Sequence, residues 1–415
     1  MKVLMLGWEL PPMYAGGIGM VCYDLLKELS QKNVDVTYLM PFGPEEFHNT
    51  SNAKVVIAEN QVPQIQNVHI KKVKTLIHAY HSPQEYEETH TTFTKSTLKT
   101  TQGKARKQLY GPDLFTEVDL FAKRAFELAH NLEYDVVHAH DWMTFPAATA
   151  LADAQNKPLI LHIHNTIFDR YLGNASQHER DIEYNGLGRA NTIIVVSNYV
   201  KNILITKYNI PATKIEVVHN APNTLLKQKA LSQKKDLRVD EKIVLFTGRI
   251  TVQKGPEYFV HTAKAVLKHE PKTKFIMAGS GDMFARTVNL AAELGISKHF
   301  LFTGFYTMEQ AHALYSRANC FVMPSVSEPF GIVPLEAMDY GTPTIVTRTS
   351  GCSEVLTHAL KSDFWDIRQT ANKVVSILRY PALAETLGEH GQQQVRSMNW
   401  GQSADKCVSL YQRHI

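Results

Sequence analysis

Short apolar runs rich in β-branched residues alternate with amphipathic stretches along most of this chain, and that alternation constrains its fold more than any single motif. Candidate strands are Val3–Leu6, Asp35–Leu39, Val136–His138, Leu159–His162, Thr192–Val196, Glu216–Val218, Ile243–Phe246, Lys274–Met277, Phe300–Phe302, Cys320–Met323 and Thr344–Val346. Helical patterns such as Val21–Ser30, Phe259–Lys268 and Thr287–Leu294 lie between several of them. Near-continuous apolar strands separated by helices predict an α/β protein whose parallel sheets are covered on both faces. So many strands exceed one comfortable doubly wound sheet, and two are expected. The polar, lysine-rich stretch Asn223 to Glu241 precedes a fresh strand at Lys242 and marks the boundary. It separates domains 1–222 and 223–399, with a cleft expected between them.

A chain of 415 residues has room for two ordinary cores. Hydrophobic residues at 44% and charged residues at 20% indicate a soluble globular protein. No apolar run approaches the ~20 residues that span a bilayer, so no membrane association is expected. Glu9 and two prolines cut short the apolar start, no small-residue cleavage site follows, and an interior strand is the better assignment than a signal peptide. Cys22, Cys320, Cys352 and Cys407 lie far apart with no C-x-x-C pair, which indicates neither a zinc site nor a disulfide framework and fits a reducing cytoplasm. A net charge of +4 without a base-stacking motif gives no case for nucleic acid. Residues 83–112 are rich in Thr, Ser and Lys, and fit either a solvated loop or a lid on the acceptor side of the cleft.

Glu328 and Glu336 close the segment Glu328-Pro329-Phe330-Gly331-Ile332-Val333-Pro334-Leu335-Glu336. The strand Cys320–Met323 precedes it and Val333 to Tyr340 begins a helix, so Glu328 falls in the loop at a strand's C-terminal end and Glu336 about two turns into the helix. Unpaired backbone N–H groups at a helix start carry partial positive charge and hold whatever anionic group binds there. Two carboxylates so placed suit a ligand with two sets of hydroxyls joined by a diphosphate, as in a nucleotide-sugar.

Arg249 and Lys254 follow the strand Ile243–Phe246 in Thr247-Gly248-Arg249-Ile250-Thr251-Val252-Gln253-Lys254-Gly255. Cations at a strand's C-terminal end face the crevice where open α/β sheets bind ligands, and Arg clamps a phosphate with paired N–H groups while Lys adds a compact charge. Gly16-Gly17-Ile18-Gly19 opens a helix after the first strand, and either brings amides to a phosphate or makes a plain tight turn. Gly279-Ser280-Gly281-Asp282 offers the same pair of alternatives after Lys274–Met277. His138, His140, His162 and His164 form two H-x-H pairs at strand ends, where alternation puts each pair on one face. The further His and Asp ligands of metal-dependent hydrolases are missing, so polar cleft loops, with His138 and His162 buried and hydrogen-bonded, fit better than a metal site. No D-x-D triplet occurs, which argues against a metal-dependent glycosyltransferase of the GT-A type.

Together these motifs resemble the retaining, family-4 glycosyltransferases of GT-B fold, most closely their bacterial glycogen and starch synthase-like branch. The likeness runs from Gly7-Trp8-Glu9-Leu10-Pro11-Pro12 and Gly16-Gly17 through His138-Ala139-His140-Asp141-Trp142, His162-Ile163-His164-Asn165, Val196-Ser197-Asn198 and His219-Asn220 to the Arg249/Lys254 loop and Glu328 to Glu336. It implies two Rossmann-like domains with parallel sheets facing a deep cleft, and a last helix, 400–415, that packs back on the first domain. It also implies a nucleotide-sugar co-substrate, UDP- or ADP-glucose, an α-1,4-glucan or other carbohydrate acceptor, and no metal or other cofactor.

By the same resemblance Glu328 sits at the transferred sugar and Glu336 at the ribose hydroxyls. Arg249 and Lys254 hold the diphosphate with Gly16 and Gly17, and Gly279, Gly281, Phe330, Gly331 and Asn220 line the donor site. His164 lines the reacting face of the sugar and Asp141 lies on the acceptor side. Transfer with retention, by front-face attack, is the implied chemistry. Two departures stand out: Tyr14-Ala15-Gly16-Gly17 replaces the Lys-Thr-Gly-Gly of many ADP-glucose enzymes, and Phe330 stands where many have Cys. The first weakens the case for ADP-glucose against UDP-glucose. The competing expectations are a different sugar or a lipid-linked or exported polysaccharide acceptor, a glucan phosphorylase, and a non-catalytic sugar-binding relative.

Overall fold

The computed structural model describes residues 1–10, 17–42, 67–74, 114–172, 175–222 and 241–415. Residues 83–112, most of the lysine-rich boundary stretch, and Pro11 to Gly16 lie outside the described residues.

Among the described residues, strands β1 (Lys2–Leu6), β2 (Asp35–Phe42), β3 (Val68–Lys74), β4 (Val136–His140), β5 (Leu159–Ile163), β6 (Thr192–Val195) and β7 (Ile215–Val217) form one sheet of order β3-β2-β1-β4-β5-β6-β7. Strands β8 (Ile243–Thr247), β9 (Lys274–Ala278), β10 (Phe300–Gly304), β11 (Cys320–Met323), β12 (Thr344–Thr347) and β13 (Leu360–Ser362) form a second, of order β10-β9-β8-β11-β12-β13. The pairings of β1 with β2 and β4, and of β8 with β9 and β11, are parallel. In both sheets the chain leaves β1 or β8 for one side and returns to the other, which opens a crevice at the carboxyl ends of the strands.

The helices are α1 (Gly17–Gln31), α2 (Leu114–Ala129), α3 (Phe145–Ala154), α4 (Ile167–Tyr171), α5 (Gln177–Arg189), α6 (Asn198–Tyr208) and α7 (Pro256–Leu267). They continue with α8 (Phe284–Glu293), α9 (Met308–Arg317), α10 (Val333–Asp339), α11 (Ile367–Arg379), α12 (Pro381–Ser397) and α13 (Trp400–Gln412). The strands expected from the sequence all appear, several a residue or two longer. Two are additions, β3 and β13, and both are sheet edges. An edge strand is covered on fewer sides and needs no continuous apolar run, so Val-His-Ile-Lys-Lys-Val-Lys gives little strand signal.

The chain divides into two compact units. The first comprises Met1–Ile163, Gln177–Ile194 and Ala404–Ile415; the second comprises His164–Ser176 and Val195–Ser403. Segments 164–176 and 195–222, on the N-terminal side of the sequence boundary, therefore belong to the second unit. In the first unit β1, β4 and β5 are buried at nearly every position, and α13 joins through the buried Tyr411, whose hydroxyl is 2.6 Å from His138 Nδ1. His414 adds a contact of 2.8 Å to Thr192 Oγ1, and Lys32 pairs with Asp405 at 2.5 Å. In the second unit Val244, Phe246, Phe259, Phe275, Val322 and Val374 form a shared core beneath α7 and α11. Phe259 meets Phe275 edge-on at 5.9 Å between ring centroids. A buried aromatic of this kind typically costs about 3–5 kcal/mol when truncated to Ala, so this core fixes where the loops above it emerge. No cysteine is in a disulfide, all four being free and buried. Among the described residues no helix is long and apolar enough to cross a membrane.

Candidate active site

Within the second unit, the loop after β8 is built on glycine. Gly248 has φ 134° and Gly255 φ 64°, and the three-residue turn Val252–Lys254 between them carries Lys254 up to Pro256, the first residue of α7. A Cβ on Gly255 would lie 2.2 Å from the Pro324 carbonyl oxygen, so the loop packs backbone to backbone against the end of β11. The turn after β9 is laced to the same loop: Ile250 N donates to Ser280 O at 2.8 Å and Met283 N to Ile250 O at 3.0 Å. A Cβ on Gly279, at φ 144°, would meet Gly248 O at 1.8 Å, and one on Gly281 would meet Ile250 O at 2.3 Å. Loop packing alone therefore accounts for both glycines, whatever else they face.

Glu328 lies in the loop after β11, where its Oε2 accepts from Lys254 Nζ at 2.5 Å and from Ser325 Oγ at 3.2 Å. It is only 5% exposed. Its backbone N–H donates to Thr349 O at 3.1 Å and its carbonyl accepts from Gly351 N at 2.9 Å, so the segment is fixed like a short strand. Val326 N donates to Gln253 O at 2.9 Å, tying this loop to the one that carries Lys254. Gly331, at φ 95°, leaves 3.0 Å between a notional Cβ and Glu328 Cγ, and the Phe330 ring is buried beside it.

Three further groups hold the loop from its other side. Ser327 Oγ donates to Asp169 Oδ1 at 2.5 Å, Tyr199 Oη lies 2.9 Å from Ser327 Oγ, and Ser197 Oγ donates to Pro329 O at 2.6 Å. Asp169 is fully buried, and that burial raises its carboxyl above the usual range although Ser327 and Thr166 donate to it. Glu354 takes the backbone N–H groups of Asn198 and Tyr199, at 2.9 Å and 2.6 Å, at the start of α6. A carboxylate satisfying two orphan donors at a helix N-terminus pins that helix.

Glu336 is the fourth residue of α10, which starts at Val333 as expected, and at 3.6 residues per turn it lies in the first turn rather than about two turns in. The side chain accepts from Tyr315 Oη at 2.9 Å, and Tyr315 Oη lies 3.0 Å from Thr247 Oγ1 at the end of β8. Burial pushes the Glu336 carboxyl up to about 7, against the Tyr315 hydrogen bond, which pulls it down. His164, after β5, is 7% exposed, and burial pushes its imidazole down to about 3, so it is neutral over the ordinary pH range. Asn220 is buried and Arg249 partly exposed.

The first unit carries the remaining candidates. Asp141 is buried and has φ 56° and ψ 164°, a conformation that a non-glycine residue adopts only when its surroundings impose it. Here the Asp141 N–H donates to His162 O at 3.0 Å, and the carbonyl accepts from Thr144 N and Oγ1 at 3.1 Å and 2.9 Å. Gly17 is the exposed first residue of α1, with open space where a Cβ would be, and Gly16 lies outside the described residues.

His138, His140 and His162 come together, each buried, with ligand-capable atoms within 4.8 Å of one another. Their rings are nearly parallel, inclined by 28°, 10° and 30° at centroid separations of 4.5, 5.5 and 5.0 Å. Their ring nitrogens are close enough together that the three could hold a metal ion.

The structure thus gathers Arg249 and Lys254 on one loop, Glu328 against Lys254, and Gly279 and Gly281 against that loop. Tyr315, Thr247, Ser325, Ser327, Asp169, Tyr199 and Glu354 were not singled out from the sequence. Thr166-Ile167-Phe168-Asp169 does carry a legible capping-box spacing, which the structure forms on both sides. Nor were Thr251 and Gln253 singled out, buried residues of the cationic loop whose Oγ1 and Nε2 have no hydrogen-bond partner among the described residues.

Comparison with known proteins agrees over both halves. The family model described as Glycosyltransferase Family 4 matches residues 15–224, and that described as Glycosyl transferases group 1 matches 227–394. The chain is 28% identical to an uncharacterized glycosyltransferase of Methanocaldococcus jannaschii, over 86% of this chain and 83% of that protein. It is 25% identical to a glycogen synthase of Mycobacterium tuberculosis, over 99% and 94%. Among solved structures it is similar to a sucrose-phosphate synthase of Thermosynechococcus elongatus, with TM-score 0.69 and 19% identity over 99% of this chain and 98% of the other. The catalytic domain of starch synthase IV from Arabidopsis thaliana, bound to ADP and acarbose, also gives TM-score 0.69, at 18% identity over 100% and 99%. Two parallel sheets, the cation and carboxylate loops at their strand ends, and a family model spanning half the sequence lead to one assignment: the chain belongs to glycosyltransferase family 4 and is a transferase of GT-B fold.

Proposed function

We propose that this glycosyltransferase is retaining and glycogen synthase-like, moving glucose from UDP- or ADP-glucose to the non-reducing end of an α-1,4-glucan. The observation that carries the reading is the placement of Lys254 against Glu328, with Arg249 on the same loop. In this reading Arg249 and Lys254 neutralise the charge that grows on the departing diphosphate, and Glu328 accepts from sugar hydroxyls while holding Lys254 in place. Glu336 accepts from the ribose hydroxyls, and Gln253 and Thr251 supply polar atoms that no described residue answers. Neutral His164 donates or accepts one hydrogen bond at the sugar without adding charge. Asp141 keeps the acceptor-side role that the resemblance implies. On the front face, the bond from the anomeric carbon to the diphosphate oxygen breaks as the acceptor oxygen bonds to that carbon, and the acceptor's proton passes to the leaving phosphate. No metal is assigned a part, since two side-chain cations supply the positive charge.

The 25% identity to a glycogen synthase over nearly the whole chain supports glucan as acceptor. The Tyr14-Ala15 departure leaves UDP-glucose in equal standing with ADP-glucose as donor. Proton NMR of the product formed on a maltooligosaccharide tests the mechanism: a new α-anomeric signal is expected, and a β signal overturns retention.

A further inference from the structure

Between the two halves of the proposed donor site stands a residue that touches neither substrate nor solvent. Tyr315 on α9 is fully buried, and its hydroxyl is 2.9 Å from Glu336 Oε2 and 3.0 Å from Thr247 Oγ1. Its ring packs on Phe321 of β11 and on Tyr340 after α10, at 6.1 Å and 5.9 Å between centroids, and its carbonyl accepts from Thr342 Oγ1 at 2.8 Å. A side chain held on ring, hydroxyl and backbone has one place to be. Thr247 is the last residue of β8, immediately before Gly248 and Arg249, whereas Glu336 rides on α10.

We infer that Tyr315 is a positioning residue for donor binding: its hydroxyl ties the Glu336 carboxylate to the strand end that launches the Arg249–Lys254 loop, so the acid and the cations keep one spacing. This inference rests on the donor-site reading given above. The order of protons follows from chemistry. An ionised carboxylate only accepts, so Tyr315 donates to Glu336 and Thr247 donates to Tyr315. A protonated Glu336 would no longer accept fully from ribose hydroxyls.

Among the described residues, His312 of α9 is buried with its ring 5.5 Å from that of Tyr340. Tyr315 and Tyr306 are the phenols that feel the charge of Glu336, both pushed up first by burial and then by that charge. Helix α12 sends Arg396 to Asp339 of α10, at 3.0 Å, rather than to Glu336. Strand β11 contributes Cys320, also pushed up by burial, and β12 contributes no titratable side chain. Burial and Tyr315 therefore set the ionisation of Glu336, with the midpoint at about 7.

The test is calorimetric binding of UDP and ADP to the full chain across a pH series. The wild type is expected to bind one of them more tightly as pH rises through about 7. Tyr315→Phe is expected to weaken that binding about tenfold, the loss of one hydrogen bond to a charged group, and to move the midpoint upward. Thr247→Val keeps the inference testable should the phenylalanine variant fold poorly; it is expected to move the midpoint in the same direction by less. Glu336→Gln is expected to bind weakly with no midpoint. A folded Tyr315→Phe protein with the wild-type affinity and midpoint overturns the inference while leaving the donor site intact. A wild type that binds neither nucleotide overturns the donor site and the inference together.

Discussion

Lys254 Nζ and Glu328 Oε2 lie 2.5 Å apart, one on the loop after β8 and the other on the loop after β11, with Glu328 almost wholly buried. The pair ties together the two loops that the sequence marks as cationic and acidic, and Ser325 gives Glu328 Oε2 a second donor. A buried ion pair is poor evidence of stabilisation, because desolvation offsets much of the attraction. In the proposed function the pair serves the donor rather than the fold.

Removing either partner should therefore reduce catalysis more than folding alone explains. Lys254→Ala and Glu328→Ala are each expected to lower kcat by about 10²–10³-fold, the usual cost of losing one group aimed at developing charge. Steady-state kinetics on variants with cooperative melts measure this. Folded variants within about tenfold of wild type would remove the pair from the proposed machinery.

The two glycine classes predict opposite behaviour. Gly279→Ala puts a Cβ 1.8 Å from the Gly248 carbonyl oxygen at a φ that disfavours side chains, and should cost about 3 kcal/mol or more. Gly17→Ala meets nothing within 4 Å, so its stability should stay within about 0.5 kcal/mol of wild type. If Gly17 is small for a phosphate's sake, that stable variant should still bind nucleoside diphosphate less well. Chemical denaturation and calorimetry separate the cases, and equal destabilisation by both substitutions would contradict the packing argument.

His164 predicts an acid limit. The folded imidazole takes a proton only near 3, whereas in the unfolded chain it does so near 6.5. Between those values the unfolded state binds more protons, so stability is complete above the upper value and is lost as pH falls. From about pH 7 to about pH 5 the loss through this group is on the order of 2 kcal/mol. His164→Asn should show a shallower decline over the same range in urea melts. Parallel declines would show that His164 is not the group responsible.

Much of the second unit was legible because its fold and its chemistry share residues. The apolar strand Cys320–Met323 points to the loop that carries Glu328, and Gly248, Arg249, Lys254 and Gly255 follow β8 as a crevice-facing loop should. Glu336 was placed about two turns into a helix from Val333, yet at 3.6 residues per turn the fourth residue of α10 is still in the first turn. The edge strands β3 and β13 gave no signal because edges need little apolar burial. Tyr315 was unreadable for another reason: its link to Glu336 spans 21 positions and depends on how α9, α10 and β8 pack. Nothing in the spacing of Thr247, Tyr315 and Glu336 marks them as a set. His138 and Tyr411 lie 273 positions apart, and only folding reveals why each is buried.

The most direct test of the central claim is release of nucleoside diphosphate from UDP-glucose and from ADP-glucose, each with and without glycogen. Glycogen-dependent release from at least one donor, with label entering polymer that an α-1,4-specific amylase then removes, is the expected result. Turnover that ignores glycogen, or no turnover of either donor by a folded protein, would contradict glucose transfer to an α-1,4-glucan.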